Sequence, residues 1–217
     1  MQTTGSANPE LQMQAETYVG TGYQRLLTFE VDGGGFSLFG EPPAHPFLTA
    51  YGLMEFHDMS KVYPVDEAVI ERAARWLLSQ QQPDGTWQVG DSRAGQGTLG
   101  ATSYVAWALI EAGYGDTPRV GRAISYIRTF ALQEKTPYSL ALAANAAGDT
   151  ADAHYYMAEF HAMSGSLQPA IDQLQLALST PDLDSVQQAR FMARLQQFQE
   201  YLPDRPREES PQDGRGN

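Results

Sequence analysis

The side chains able to do chemistry are few, and their spacing suits little of it. Of four histidines, His57 is followed directly by Asp58, with no second histidine near enough to complete a metal site. His154 and His161 stand seven residues apart, which puts two helical turns between them, whereas a single metal ion is gripped by the i, i+4 spacing of H-E-x-x-H. These histidines read as structural or surface residues. Carboxylates do acid–base work when two are positioned around a substrate, but Glu55 and Glu111 fall at matching places in an internal repeat, which argues for a shared structural part. No acidic cluster of the D-x-D-D or D-D-x-x-D type occurs. Ser37, Ser92 and Ser103 lack the G-x-S-x-G setting of an activated serine. Gly95-Gln96-Gly97 and Gly113-Tyr114-Gly115 follow no strand pattern and supply no P-loop lysine, so they read as turns. With no cysteine among the 217 residues, disulfides, thiolate nucleophiles and cysteine-ligated zinc are excluded from this stretch. The sequence therefore nominates no catalytic residue, no metal ligand, no cofactor-binding residue and no cofactor.

Bulk charge narrows the partners. Fourteen Lys+Arg stand against 26 Asp+Glu, a formal net charge of −12. A chain so acidic repels phosphate backbones, because nucleic-acid affinity comes largely from cationic side chains releasing counterions. The reading is therefore no nucleic acid, and the same charge disfavours anionic membrane surfaces. No apolar run approaches the roughly 18 residues that a span requires, so no membrane insertion is expected. The first ten residues carry neither a basic cluster nor an apolar core, so no signal peptide is visible. Expressed as written, the chain would stay in the cytoplasm.

The elements that position these residues read as helices throughout. Residues 1–9 form a polar tail expected to be disordered. A helix runs from Pro9 to about Phe29 and stops before Asp32-Gly33-Gly34-Gly35, after which Phe36 to Phe39 is extended. Phe47 to Val62 is helical. Asp66 caps the next helix, whose Ile70, Ala73, Ala74, Leu77 and Leu78 mark one buried stripe at i, i+3, i+4, i+7 and i+8. Pro83 stops it, and Gly90 to Gly100 is a glycine-rich loop. Thr102 to Ala112 is the following helix. Thr117-Pro118 and Thr136-Pro137 open two more, with proline at its tolerated first position. Ala151–Ser164 and Ser166–Leu178 pair around Gly165, Asp184 caps a last helix to about Leu202, and 204–217 is a polar tail expected to be disordered.

Two stretches repeat. Arg25-Leu26-Leu27 leads to Asp32-Gly33 and Phe36, as Arg75-Trp76-Leu77-Leu78 leads to Asp84-Gly85 and Trp87. Ala50-Tyr51-Gly52-Leu53-Met54-Glu55 parallels Ala106-Trp107-Ala108-Leu109-Ile110-Glu111, an offset of 56 residues. Each unit is a helix, a turn of glycine and an aromatic, and a second helix. Such hairpins cannot bury both faces alone and must stack. Gln81 to Trp87 also fits the Q-x-x-D-G-x-W pattern of terpene cyclases, where it is structural.

Gly22 to Phe29, Gly34-Gly35-Phe36-Ser37-Leu38-Phe39-Gly40, Leu48 to Phe56 and Trp76 to Gln82 together resemble the thioester domain of bacterial α2-macroglobulins. Tyr104 to Leu109 and Tyr138 to Asn145 continue the likeness, which covers about residues 12–147. The resemblance implies an α/α toroid, of which residues 10–148 would be a part. It also implies a periplasmic or membrane-anchored endopeptidase inhibitor, in which a cleaved bait region lets a Cys–Gln thioester trap the protease. The family's C-x-E-Q tetrad lies upstream of the matching stretch, and this sequence has no cysteine, bait region or β-domains, so covalent trapping is not expected to carry over.

From about Asp149 the chain resembles something else. Gly165, Leu167, Ala170, Leu174, Ala177 and Leu178 fall at tetratricopeptide spacing. With His154 to Phe160 and Asp182 to Leu195 they resemble the C-terminal repeats of periplasmic β-barrel-assembly-enhancing metalloproteases. That resemblance spans 149–203 and lacks the H-E-x-x-H helix, so no zinc activity is implied. By the family's pattern Tyr155, Glu159 and Ala162 would line a partner-binding face; the alternative is that they pack against the toroid piece.

The expectation is thus an all-α fold of about eight helices in stacked antiparallel hairpins, a partial toroid plus a tetratricopeptide-like pair and a capping helix. The expected function is non-catalytic protein interaction or scaffolding, with envelope proteins or proteases as partners by family implication. The first alternative is a small α/α-barrel hydrolase or lyase using two carboxylates in a cleft. The second is an incomplete domain without activity of its own, marked by exposed apolar faces on Leu26, Phe29 and Phe47.

Overall fold

The computed structural model describes residues 9–88 and 98–201. The polar tails, Ser92, Gly95-Gln96-Gly97 and most of the glycine-rich loop lie outside them. Nine α-helices are present among the described residues: α1 (Pro9–Leu27), α2 (Pro46–Ser60), α3 (Glu67–Gln80), α4 (Thr98–Leu109), α5 (Pro118–Phe130), α6 (Pro137–Ala147), α7 (Thr150–Met163), α8 (Leu167–Ser179) and α9 (Ser185–Glu200). Two short strands, β1 (Glu30–Val31) and β2 (Gly35–Phe36), pair antiparallel with Glu30 opposite Phe36. The fold is all-α, as expected from the pattern.

Helix ends follow their caps. The Asp66 side chain accepts the Ala68 N–H at 3.0 Å, Thr117 Oγ1 accepts the Val120 N–H at 3.4 Å, and Asp184 forms a reciprocal capping box with Gln187. Each satisfies amides that the first helical turn leaves without a partner. Between the caps the apolar pattern sorts helices into two layers. In α3, Val69, Ala73, Ala74 and Leu77 are buried on one face, and in α5 Val120, Ala123 and Ile127 are. These are one-sided helices with a wet outer face. In α4, by contrast, nearly every residue from Leu99 to Leu109 is buried. Helices α2, α4 and α6 pack side by side as an inner row, with α3 against α2 and α5 against α4.

The glycine–aromatic turn recurs with its bonds intact. The Phe36 N–H donates to Thr49 Oγ1 at 2.9 Å, and the Trp87 N–H to Thr102 Oγ1 at 3.3 Å. Gly34 and Gly85 both sit at positive φ, 94° and 92°. A Cβ on either would stand 2.8 Å from a backbone oxygen, that of Arg72 or of Arg122. These matched bonds set the register of the second helices at 53 residues, Thr49 to Thr102, which corrects the offset of 56 read from the sequence. Thr49, Leu53 and Phe56 correspond to Thr102, Ala106 and Leu109, all buried. Glu55 therefore matches Ala108, while Glu111 lies past the end of α4 in a π-turn, Ile110–Tyr114. The alternating apolar residues of α2 and α4 fit each other almost as well one turn out of step, and the sequence match fell there.

From α6 onward the packing rule changes: α6 packs on α7, α7 on α8 and α8 on α9 in succession. The apolar core divides accordingly. One cluster joins α1 to α6 around Leu53, Phe56, Leu77, Trp87, Val105 and Leu109. The other joins α7 to α9 around Ala158, Ala170, Leu174, Ala177, Phe191 and Phe198.

Candidate interaction surfaces

The partner-binding residues expected on α7 lie on one face of it, under α9. The Tyr155 ring stacks on Phe191, centroids 5.3 Å apart, and the Arg190 guanidinium lies over it at 4.4 Å. Glu159 accepts two bonds from Arg194, at 2.6 and 2.7 Å, a bidentate pair of which the Glu159 side chain is only 18% exposed. Ala162 is half-buried against the same cluster. Arg190 also pairs with Asp152. Burial pushes the Asp152 carboxyl above its ordinary range, against the opposing pull of Arg190. Gln187 reaches Asp149 and Asp152 with one amide. The result is a polar ladder, Gln187, Arg190 and Arg194, climbing α9 at helical spacing along α7. Any partner reaching Tyr155 and Glu159 must displace α9.

The residues weighed for chemistry are tied into structure. His154 Nδ1 and Gln173 Oε1 are 2.8 Å apart, and His161 stands edge-on to Phe160. No group of three or more metal-binding side chains occurs among the described residues. Two carboxylates, Asp149 and Asp152, do approach one amide. Asp149 is committed as the cap of α7, accepting the Asp152 N–H at 2.9 Å, and Asp152 to Arg190, so the pair is structural. The Glu55 carboxylate beside Tyr51 raises the Tyr51 pKa, by charge and by hydrogen bonding. Glu111 accepts the Trp107 indole N–H at 3.1 Å. Gly113, at φ 88°, ends the π-turn.

The surface that sequence reasoning marked only indirectly is the edge of the inner row at α2. Its other side is covered by α4, which lays Tyr104 on Phe47 at 4.5 Å. Toward α1, a cavity of about 130 Å³ opens between Leu26, Phe29, Phe36, Leu48 and Tyr51. Leu38 and Tyr51 line it while largely exposed, and Phe39, next to Leu38 in the chain, is 81% exposed. Ser37 lines it, 7% exposed, its hydroxyl without a hydrogen-bond partner among the described residues. Of the three residues taken as markers of an uncovered face, Leu26 and Phe29 line this cavity half-buried, and Phe47 is held by Tyr104. At the far end of the row α7 covers α6, with Tyr138 and Phe160 5.4 Å apart.

An arc of helical hairpins with an inner row and glycine–aromatic turns is the architecture of an α/α-toroid segment. The chain belongs to the A-macroglobulin TED domain family, whose pattern matches residues 1–167. It is 29% identical to ovostatin of Gallus gallus over 118 residues, 50% of this chain and 8% of that protein. It is 27% identical to complement C3 of Oncorhynchus mykiss over 143 residues, 58% and 9% of the two chains. It is also 27% identical to thioester-containing protein 1 allele S1 of Anopheles gambiae over 154 residues, 64% and 11%. The chain thus spans about a tenth of the length of these relatives. The family match runs through α7, past residue 148. No helix among the described residues is long and apolar enough to cross a membrane.

Proposed function

We propose that the chain is a non-catalytic protein-interaction module built on the TED framework, whose contact surface is the open edge at α2. One observation carries this reading. Among the described residues the inner row is covered at its α6 end and uncovered at its α2 end, where exposed Leu38 and Tyr51 line an apolar cavity and exposed Phe39 follows Leu38 in the chain. Apolar residues gathered into one exposed patch mark contact sites, whereas scattered ones do not. The 217 residues hold no cysteine, so no thioester forms within them, and the contact proposed at this edge is a non-covalent one. Helices α7 to α9, within the tetratricopeptide-like segment 149–203, close the far end and act as its cap. By resemblance to the bacterial branch of the family the setting is periplasmic and the partners are envelope proteins or proteases.

The test is site-specific photo-cross-linking. A benzophenone side chain is placed at Phe39 or Tyr51 on the edge and, as control, at Ser79 on the exposed face of α3. Discrete adducts from the two edge positions, with none from Ser79, support the reading. Equal labelling at all three, or none at the edge, refutes it.

A further inference from the structure

Among the described residues, no other element packs on residues 11–18 of α1. Residues 10–18 are all exposed, Leu11 by 63% and Tyr18 by 76%. Their described side-chain bonds are local ones, such as Gln12 Nε2–H to Glu16 Oε1 at 3.1 Å and Thr17 Oγ1–H to the Met13 carbonyl at 2.8 Å. A helical stretch this short is marginal in water without tertiary packing. The second half is anchored, Tyr23 standing edge-on to Phe56 at 5.9 Å. Along the whole helix Leu11, Ala15, Tyr18, Gly22 and Leu26 fall on one stripe beside the anchored face. That stripe reads almost the same in both directions: large, small, aromatic, small, large. Gly22 has open space beside it, and Leu26 lines the cavity at the open edge.

We infer that the open edge receives a second copy of this chain, through antiparallel pairing of α1 with the partner's α1 about a two-fold axis near Tyr18. Leu11 of one copy then lies against Leu26 at the other's cavity, and Ala15 faces Gly22, where two small residues let the helices approach. The cavity, about 130 Å³, is close in size to one that holds a single small apolar group. The helix dipoles favour this direction, because antiparallel ones attract. A C2 interface requires such a self-complementary patch. The inference rests on the edge being a contact surface and adds what occupies it.

Light scattering on the eluting full chain tests this at loadings from about 1 to 100 µM, the range of weak dimers. The expected mass is twice 23.8 kDa at high loading, falling toward 23.8 kDa on dilution. Leu11→Glu and Tyr18→Glu, both on the exposed half-helix, should each weaken the dimer about tenfold or more, with the thermal melt unchanged at the lowest loading, where the chain is monomeric. The chain has no native cysteine, so pairing direction is read by oxidation: Ala15→Cys with Gly22→Cys should close a covalent dimer, and Ala15→Cys alone should not. A chain monomeric throughout, a dimer indifferent to both glutamates, or efficient cross-linking by Ala15→Cys alone overturns the inference. If the chain is monomeric while Phe39 and Tyr51 label a different polypeptide, this inference fails and the proposed function stands.

Discussion

Gly85→Ala is the sharpest test of how the hairpins stack. Gly85 has φ 92°, a conformation that costs a residue with a Cβ about 1–2 kcal/mol. The added methyl would also stand 2.8 Å from the Arg122 carbonyl oxygen and 2.9 Å from its carbon. Both are backbone atoms of α5, so relief requires shifting a helix and not rotating a side chain. Overpacking of that kind costs about 1–3 kcal/mol more. Gly113 is the control: its φ is 88°, and no atom lies within 4 Å of a Cβ built there. Gly113→Ala should therefore lose the conformational part alone. Alanine restrains the unfolded chain at either position by about the same amount, so this contribution cancels in the comparison. Gly85→Ala should be the less stable by about 1–3 kcal/mol, or roughly 2–4 °C of melting temperature per kcal/mol for a chain of this size. Urea and thermal unfolding followed by circular dichroism read both variants. Equal losses would refute the claim that the turn is wedged against α5.

Other perturbations follow from single contacts. Trp87 is fully buried and its indole N–H donates to the Leu77 carbonyl at 2.7 Å; Trp87→Phe orphans that carbonyl and should cost about 1–3 kcal/mol, visible in the urea midpoint. His45 Nδ1 accepts the Phe47 N–H at the start of α2, and burial lowers its pKa from the ordinary 6.5. Because the folded state resists protonation, stability should be complete above about pH 6.5 and fall as pH drops from there through the folded pKa. His45→Asn keeps a capping acceptor worth about 1 kcal/mol and should flatten that fall in melts across the range. Arg194→Ala removes both bonds to the half-buried Glu159 carboxylate and should cost about 1–3 kcal/mol. Its effect should be confined to faster amide exchange in α9 and across the Tyr155 face, with α2 and α4 protected as before.

What the sequence made legible was whatever is local. The stripe of α3, the caps at Asp66, Thr117 and Asp184, the prolines that open α5 and α6 and the glycine–aromatic turns all depend on neighbours within a turn or two. The register between repeats was not local. It depends on which threonine meets the turn amide, and Thr49 and Thr102 look no different in sequence from other polar residues of α2 and α4. The role of α9 was equally hidden. Arg194 meets Glu159 across 35 residues and Arg190 meets Asp152 across 38, distances at which charge spacing carries no signal. Hence Tyr155 and Glu159 stood out as solvent-facing candidates, when helix α9 is what faces them.

The two ends of the inner row differ because α2 and α6 differ. Helix α6 is alanine-rich, with Ala141, Ala143 and Ala146 all buried. Small side chains allow α4 and α7 to approach it closely from either side, so the row can turn there into the sequential packing of α7 to α9. Helix α2 instead carries Leu48 and Tyr51 on its uncovered side, with Leu38 and Phe39 beside them. These are bulky groups that exclude close backbone approach and are satisfied only by complementary apolar surface. The acidic ladder on α7, meanwhile, is neutralised by the arginines of α9, which leaves little unspent attraction at that end. The proposed contact surface is thus a place where the packing is incomplete among the described residues, and a cysteine cross-link between α1 helices would show whether a second copy is what completes it.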